Sequence, residues 1–442
     1  MHSVHQHRAA RSLPSLALAL LAIVAPVVRA QVADSAAAAR AHHRAALGAL
    51  RSGDSAAALT GLGQAAAALP QQPAYAAALA RLAAARGDRA LALSALERLV
   101  AMEAGWDPSG PLAALRGDPA YDALERRMRA ATADVGPAAA FAVLDDPTLH
   151  PEGVAYDAAA KRWFVSSVHH RTVVRLDGSG RADAWTPRPR DSLDAVFGMA
   201  VDAARGWLWL ATAAVPHMRG YREGDAGRST LVALSLASGE VVRRVRLPAI
   251  EGGHQLGDVI VASDGRLFAT DSRHPAVYEV RNPERDSLAV VLVEGDPRFR
   301  SLQGLALGGG GRVLYVADWS HGLLRIDLGT RAVAEMPAPA GATTLGLDGL
   351  YALDDGRLLA LQNGMSPPRA VLLTLSADGG RVSAVRTVDR HAADATEPTL
   401  GAIGDGRFVY VANSPWAAFD DDGRLLPGST LPRPVLRALP LP

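Results

Sequence analysis

The sequence predicts an all-β six-bladed β-propeller that follows an N-terminal α-helical domain. Two observations predict the propeller: a strand–turn–strand pattern occurs six times, and its copies are spaced like blades. The clearest copy lies at residues 301–327, where an apolar run, a four-glycine turn, VLYVAD, a second turn and LLRID follow one another. An antiparallel meander of this kind exposes two faces, so it needs copies of itself on either side.

The six copies recur at a nearly constant distance. With the position of Gly304 as marker, they are anchored at Gly153, Gly198, Asp258, Gly304, Gly349 and Thr399. The intervals are 45, 60, 46, 45 and 50 residues, and repeats of about 40–50 residues are typical of propeller blades. A (β/α)8 barrel is disfavoured because the connections are too short and too polar for helices.

The two ends of the propeller domain are predicted to share one blade. The sixth copy provides three strands, near Gly401, near Val409 and at 434–439, whereas residues 138–144 form a lone strand before the first copy. Pairing of the two ends would complete the blade and leave no open sheet edge.

An alanine-rich segment of helical periodicity precedes the propeller. We place this helical domain at residues 31–133 and the propeller at residues 134–442. Gly53 and Gly87 are 34 residues apart, and Ala58 and Ala92 occupy equivalent positions. This is the tetratricopeptide period, and it predicts tetratricopeptide-like helix pairs. They form either a groove for a partner protein or, as the small number of clear repeats favours, a short helical cap.

The first thirty residues (1–30) have the pattern of a signal peptide. A weakly basic start at 7–11 precedes the apolar segment 13–28, and Ala30 ends a small-residue cleavage pattern. An uncleaved membrane anchor is disfavoured because Pro14 and Pro26 shorten the apolar run. We therefore expect a periplasmic or secreted protein with no membrane span after cleavage.

Composition excludes several classes of function. The 46 basic residues balance 45 acidic ones, and the arginines are scattered, so nothing indicates a nucleic-acid partner. The chain has no cysteine, which excludes disulfides, thiolate nucleophiles and cysteine zinc sites. It also contains no G-x-S-x-G, H-E-x-x-H or phosphate-loop motif.

Two rings of positions are predicted on one face of the propeller. The inner ring precedes the first strand of each blade: Glu152, Phe197, Gly257, Gln303, Asp348 and Pro398, with Asp258 and Glu397 offset by one. The second ring ends each second strand: Ser167, Thr212, Asp271, Asp318, Asn363 and Asn413. All six members of the second ring are polar. They either cap turns, as Asp and Asn commonly do, or contact a ligand.

The histidines strengthen the prediction of a site on this face. All eight histidines of the predicted propeller fall in its connections: His150, His169, His170, His217, His254, His274, His321 and His391. For any single histidine, the simpler interpretation is a solvated turn residue. From both sets we select seven candidate substrate-binding residues: His169, His254, Asp271, Asp318, His321, Asn363 and Asn413. The insertion at residues 213–229 lies on the same face and is a candidate lid.

Several of these segments also resemble a known family. PEGVAYD, GDVIVASDGRLFATD, LQGLALGGGGRVLYVAD and DGLYAL resemble the blade starts of the senescence-marker-protein/gluconolactonase family, which is related to the paraoxonases and strictosidine synthase. The resemblance covers about residues 145–440. It implies a six-bladed propeller with a divalent metal, usually calcium, in the central channel, and hydrolysis of lactones or esters.

The resemblance also implies a set of metal ligands. The glutamate of the first blade falls on Glu152, the aspartate of the fifth on Asp348 and the asparagine of the fourth on Gln303. The asparagine of the third blade falls on Gly257, beside Asp258. Calcium takes six to eight oxygen ligands, so we expect Glu152, Gln303, Asp348 and Asp258 to be completed by water.

Two functions remain open at this point. The first is an exported metal-dependent hydrolase of lactones or related esters, in which Asp348 or a histidine of the same face is the general base. The second is a non-catalytic propeller that binds a small molecule or a partner, with the helical domain as an interaction module. Gly257 favours the second function, whereas the polar rings and the histidines favour a small-molecule site.

Overall fold

The computed structural model describes residues 36–177, 180–185 and 193–441. The predicted signal peptide lies outside the described residues. The chain divides into two compact units, Met1–Leu69 and Pro70–Pro442, so the domain boundary predicted at residue 133 stays a prediction. No helix within the described ranges is both long and apolar enough to cross a bilayer.

The described part of the first unit is helical. Residues 36–51 form α1, and α2 spans Ser55–Ala68. Asp54 caps α2 by accepting a hydrogen bond from the Ala57 N–H. The two helices approach closely at Gly61, where an added Cβ would lie 3.0 Å from the Ala46 Cβ.

The second unit begins with three further α-helices and one 3-10 helix. They are α3 (Pro73–Ala85), α4 (Arg89–Ala101), the 3-10 helix Gly110–Leu115 and α5 (Pro119–Ala131). Asp88 caps α4 as Asp54 caps α2, and Gly53 and Gly87 before them both have left-handed backbone, φ +79° and +75°. The helices therefore repeat locally at the predicted period, and their identity as tetratricopeptide repeats stays a prediction.

Six four-stranded antiparallel sheets form the propeller, as predicted. Blade one contains β2 (Val154–Asp157), β3 (Arg162–Ser167), β4 (Thr172–Leu176) and β5 (Ala182–Ala184). Blade two contains β6 (Ala195–Asp202), β7 (Trp207–Ala213), β8 (Ser229–Ser235) and β9 (Val241–Arg246). Blade three contains β10 (Leu256–Val261), β11 (Leu267–Asp271), β12 (Ala276–Val280) and β13 (Val290–Glu294).

The remaining blades follow the same order from the axis outward. Blade four contains β14 (Leu302–Gly308), β15 (Val313–Asp318), β16 (Gly322–Asp327) and β17 (Val333–Glu335). Blade five contains β18 (Leu347–Ala352), β19 (Leu358–Gln362), β20 (Arg369–Leu375) and β21 (Val382–Asp389). Blade six contains β22 (Gly401–Gly404), β23 (Arg407–Val411), β24 (Val435–Pro440) and β1 (Ala139–Val143).

Blade six closes the ring with both ends of the domain. β1 pairs antiparallel with β24, so that Ala139 lies opposite Ala438 and Val143 lies opposite Val435. The predicted closure is confirmed. Apolar clusters fill the spaces between neighbouring blades, as where Trp209 of blade two packs in one cluster with Tyr278 of blade three.

The repeated glycines have a structural reason. An added Cβ at Gly153 would lie 2.5 Å from the Phe197 carbonyl oxygen, and one at Gly304 would lie 2.5 Å from the Asp348 carbonyl oxygen. The inner strands of adjacent blades thus come close around the axis, and a side chain at these positions would push them apart.

Within the second unit, the segment after α4 contacts blade five. The Gly105 N–H donates to the Ser366 carbonyl oxygen at 2.6 Å. Glu103 Oε2 accepts hydrogen bonds from Arg369, Thr387 and Arg390 at 3.0, 2.7 and 3.2 Å. Both arginines are buried, so Glu103 supplies the charge that two buried cations need.

Candidate functional site

A cavity of about 330 Å³ lies at the end of the central channel where the inner strands begin. Its polar lining includes Glu152, Asp258, Asp348, Gln255, Gln303 and Asn363. Its aromatic lining consists of Phe197, Trp319 and Trp416. No lysine, arginine or histidine of the described residues lines this cavity.

The carboxylates reach the cavity because each lies at or just before the start of an inner strand. Glu152 precedes β2, Asp258 belongs to β10 and Asp348 to β18. All three are buried, with 9%, 7% and 7% of their surface exposed. The structure therefore gathers at one cavity the four residues predicted as metal ligands: Glu152, Asp258, Gln303 and Asp348.

Glu152 is held by one oxygen. Its Oε2 accepts hydrogen bonds from the Trp416 indole Nε1 at 2.7 Å and from the Ser414 hydroxyl at 3.3 Å. Burial raises the pKa of Glu152 to about 8, with a further contribution from the charges of Glu397 and Asp258, and these two donors offset part of the rise.

Asp348 is held in a similar way by an amide. Its Oδ2 accepts a hydrogen bond from Asn363 Nδ2 at 2.6 Å, and Asn363 Oδ1 in turn accepts one from the Trp319 indole at 2.9 Å. Because an indole can only donate, Trp319 fixes which end of the amide faces Asp348. Burial, and then the charge of Glu152, raises the pKa of Asp348 well above its ordinary value.

Two further acids, Asp258 and Glu397, lie near Glu152 and Asp348 and add negative charge. Asp258 Oδ1 accepts a hydrogen bond from the Val259 N–H at 2.8 Å, and burial raises its pKa to about 7. Glu397 accepts one from the Ala417 N–H at 3.3 Å, and burial raises its pKa as well. Three of these acids line the cavity, and the charge of Glu397 contributes to the raised pKa values of Glu152 and Asp348. None of the basic side chains that the structure describes lines the cavity.

Gln303 and Gly257 both stand where the resemblance implies asparagine, and the two residues lie close together in the structure. Gln303 Nε2 donates to the Ser301 hydroxyl at 3.0 Å. A Cβ added to Gly257 would lie 3.9 Å from Gln303 Oε1. The longer amide therefore directs its oxygen toward the position where blade three lacks a side chain.

These oxygen atoms are suitable ligands for a hard divalent cation, since all belong to carboxylate or amide groups. None of the described basic side chains lies in the lining to balance the carboxylate charge. Glu152, Asp348 and the amide oxygen of Gln303 are the groups that would hold the cation. Among the described residues, however, no three histidine, aspartate or glutamate side chains form a group that could hold a metal ion. Water would have to supply the remaining ligands.

The predicted strand-end aspartates do not line the cavity. Asp318 and Asp271 are fully buried. The two oxygens of Asp318 accept hydrogen bonds from four backbone N–H groups, those of Arg300, Ser301, Ser320 and His321. Asp271 accepts three, from Gln255, Arg273 and His274. Both aspartates cap the connections above the blades, as turn residues do.

Four other candidate residues also lie outside the cavity lining. His254 is held between Asp271 Oδ2 and the Pro248 carbonyl oxygen, both at 2.7 Å. Asn413 bridges the connection between β23 and β24, and His169 Nδ1 lies 3.0 Å from the His217 carbonyl oxygen. His321 lies in the turn after β15. Of the seven predicted substrate-binding residues, Asn363 is the one in the lining.

The tryptophans of the cavity were not predicted as site residues. Trp416 comes from the long connection between β23 and β24, and its indole packs against His150 and His217 with ring centroids 4.4 and 4.8 Å away. The length of this connection was the available sequence signal. It contacts the predicted lid, since a Cβ on Gly423 would lie 2.6 Å from the Pro216 carbonyl group.

Comparison with known proteins finds similar solved structures. They include a gluconolactonase from Xanthomonas campestris (17% identity, TM-score 0.46, covering 71% of this chain and 92% of that one). A calcium-binding regucalcin from Agrobacterium tumefaciens has 17% identity and a TM-score of 0.44, covering 70% and 95% of the two chains. A luciferin-regenerating enzyme has 11% identity and a TM-score of 0.44, covering 68% and 92%. No protein-family profile and no curated protein matches the chain.

Proposed function

We propose that the protein is a hydrolase of lactones or related esters that uses a divalent cation in the channel cavity. One observation carries the proposal: Glu152, Asp258 and Asp348 are buried around one cavity, and no basic side chain within the described ranges lines it. Like charges in such a site repel unless a cation or shared protons lie between them. The volume of about 330 Å³ also leaves room for a small organic substrate.

The residues have distinct roles in this proposal. Glu152, Asp348 and the amide oxygen of Gln303 hold the cation, and Asp258 adds negative charge beside them. When bound, a divalent cation polarises a carbonyl group and lowers the pKa of a bound water. Asp348 is the proposed general base, because burial raises its pKa and so makes its carboxylate a stronger proton acceptor.

The lining of the cavity also suits an uncharged substrate. Phe197 and Trp319 provide apolar surface beside the carboxylates. Hydrolysis would convert an uncharged lactone into a hydroxy acid, which ionises at neutral pH.

Export and partner binding are further parts of the proposal. The signal-peptide pattern at residues 1–30 supports a periplasmic or secreted protein. The helices between residues 36 and 131 support an interaction module or cap. A non-catalytic binding propeller is the second candidate function. It is favoured by Gly257 and by the finding that no three histidine, aspartate or glutamate side chains of the described residues are arranged to hold a metal ion.

Hydrolysis of simple γ- and δ-lactones by the full-length protein tests the proposal. We expect hydrolysis after addition of a divalent cation and none in chelator. Asp348→Asn should reduce it by about 100-fold or more, the usual contribution of a general base. Asp145→Asn is the matched control, because the Asp145 side chain is 98% exposed. Ligand binding without hydrolysis in every cation-loaded form would support the binding propeller instead.

A further inference from the structure

The segment that follows α4 contacts the connection that carries Asn363. This blade-five connection, residues 363–368, joins β19 to β20. The Gly105 N–H donates to the Ser366 carbonyl oxygen, near the middle of the connection, at 2.6 Å. A Cβ added to Gly105 would lie 3.1 Å from the same oxygen. The two segments are therefore in direct contact, with no room for a larger residue between them.

The two ends of the blade-five connection are tied to the same segment. Gln362, the last residue of β19, is fully buried, and its Oε1 accepts a hydrogen bond from Arg369 Nε at 2.7 Å. Its Nε2 donates to the Thr343 and Leu345 carbonyl oxygens at 3.0 and 2.8 Å. Arg369, the first residue of β20, donates through Nη1 to Glu103 Oε2 at 3.0 Å. Because Arg369 is buried, the carboxylate of Glu103 is needed to balance its charge.

Glu103 is itself held firmly. Its Oε2 also accepts hydrogen bonds from Thr387 and from Arg390 Nη1. Arg390 donates through Nε and Nη2 to the Ala133 and Ala131 carbonyl oxygens at 2.9 and 2.6 Å. Glu103 has left-handed backbone, φ +54°, which is uncommon for residues other than glycine. A side chain with three donors from blade five thus keeps the backbone of this segment in an unfavourable conformation.

The blade-five connection reaches the cavity through Asn363. The Asn363 amide bridges Asp348 and Trp319, at 2.6 and 2.9 Å. The Trp319 carbonyl oxygen accepts from the Gly346 N–H at 2.8 Å, and the Gly346 carbonyl oxygen accepts from the Gly364 N–H at 3.1 Å. Asp348, Trp319 and Asn363 all line the cavity. Their arrangement therefore depends on the course of the blade-five connection.

We propose that Glu103 and Gly105 are positioning residues of the cavity, which hold the blade-five connection in the course that lets Asn363 orient Asp348 and Trp319. The segment after α4 is then part of the support of the site, and displacing it from blade five would change the site. For its effect on hydrolysis the inference rests on the proposed function. The structural coupling between this segment and the cavity does not.

Fluorine NMR of the full-length protein labelled with 5-fluorotryptophan tests the coupling without relying on any activity. Trp319→Phe identifies the Trp319 resonance, and Trp416→Phe identifies that of Trp416, which lines the same cavity from blade six. Glu103→Gln removes the carboxylate charge at similar size, whereas Gly105→Ala presses on the connection without changing any charge. Both variants should shift or broaden the Trp319 resonance and leave the Trp416 resonance in place.

A matched control is available on α4. Glu97→Gln also removes a carboxylate charge, but the partner of Glu97 is Arg127 of α5 rather than a residue of the propeller. This variant should leave the Trp319 resonance where it is in the wild type. The effect of Glu103→Gln is then due to its contacts with blade five.

The consequence for the proposed hydrolysis is measured separately. Glu103→Gln and Gly105→Ala should each lower kcat for lactone hydrolysis by about 2–30-fold, the usual range of coupling between distant positions, and change KM less. If Glu103 acts through Asn363, adding Glu103→Gln to Asn363→Leu should lower kcat no further than Asn363→Leu alone. Additive losses would overturn the inference, because Glu103 would then act by another route.

The outcomes separate the inference from the proposed function. An unchanged Trp319 resonance in folded Glu103→Gln and Gly105→Ala proteins would overturn the inference, and so would equal shifts of Trp319 and Trp416. If the Trp319 resonance shifts as expected but the cation-loaded wild type hydrolyses no lactone, the proposed function fails and the inference stands.

Discussion

Asp318 and Asp348 are buried aspartates that belong to neighbouring blades, yet their surroundings are opposite. Asp318 has four backbone N–H donors, which satisfy both of its oxygens. Asp348 has one side-chain donor, faces other acids and has a pKa well above its ordinary value. Burial is common to both, so burial does not distinguish the candidate site residue Asp348 from the turn-capping Asp318. The number of hydrogen-bond donors to each carboxylate does.

The largest expected effect is on the free energy of unfolding, which should respond differently to substitution of Asp318 and of Asp348. Asp318→Ala leaves four backbone N–H groups without their acceptor, and we expect it to reduce the free energy of unfolding by about 3–5 kcal/mol. Asp348→Asn removes a charge that its surroundings disfavour, so the chelated protein should be unchanged or slightly more stable. Urea denaturation in chelator measures both, and similar losses in the two variants would contradict the distinction.

The second effect is the dependence of stability on pH. Burial raises the pKa of Glu152 to about 8 in the folded protein. Between its ordinary value and that value the folded state binds more protons than the unfolded state, so stability falls as pH rises. The pKa of the buried His150 is lowered to about 3 in the folded protein. Because the unfolded state then binds more protons, His150 makes stability rise with pH below pH 6.5.

The window from pH 6.5 to 8 avoids the opposing effect of His150, and the comparison with Glu152→Gln separates the acids from His254, whose pKa is also raised in the folded protein. In chelator, the melting temperature of the wild type should fall across this window, and Glu152→Gln should make the decline shallower. Asp145→Asn provides the control, since its exposed side chain should leave the wild-type slope in place. A wild-type melting temperature that rises from pH 6.5 to 8 would argue that these carboxylates are ionised without penalty.

A smaller effect should follow from Gly257→Asn. The new side chain would meet Thr270 Oγ1 and Gln303 Oε1 at 3.8 and 3.9 Å from its Cβ, which are ordinary contacts, so the fold should be kept. One added oxygen ligand should strengthen cation binding by about 10-fold, or ~1.4 kcal/mol. Calorimetric titration measures this gain, and unchanged affinity would place the cation away from blade three.

The propeller was predictable from sequence because its evidence is periodic. The marker glycines recur since each prevents a clash with the next inner strand, as at Gly153 and Gly304, and the lone N-terminal strand had one place to pair. The positions of Glu152, Asp258, Gln303 and Asp348 around one cavity follow from the same ring geometry.

The partners of these residues were not predictable. Trp416 reaches Glu152 through a connection whose path depends on contacts with blade two, and no sequence period reports such a path. Likewise, Asp271 and Asp318 were predicted to bind a ligand because each is a polar residue at the end of a second strand. Only the three-dimensional course of the connections shows that backbone N–H groups occupy their oxygens.

The proposed cation site is tested most directly by melting temperatures at pH 8. The wild type and the Glu152→Gln/Asp348→Asn double variant are each measured with chelator and with Mg²⁺. We predict that Mg²⁺ raises the wild-type value, because binding to the folded state stabilises it, and leaves the double variant unchanged. In chelator the double variant should melt at the wild-type temperature or above it. A wild type that does not respond to Mg²⁺, Mn²⁺ or Ca²⁺, or equal shifts in both proteins, would contradict the claim that these buried carboxylates form a cation site.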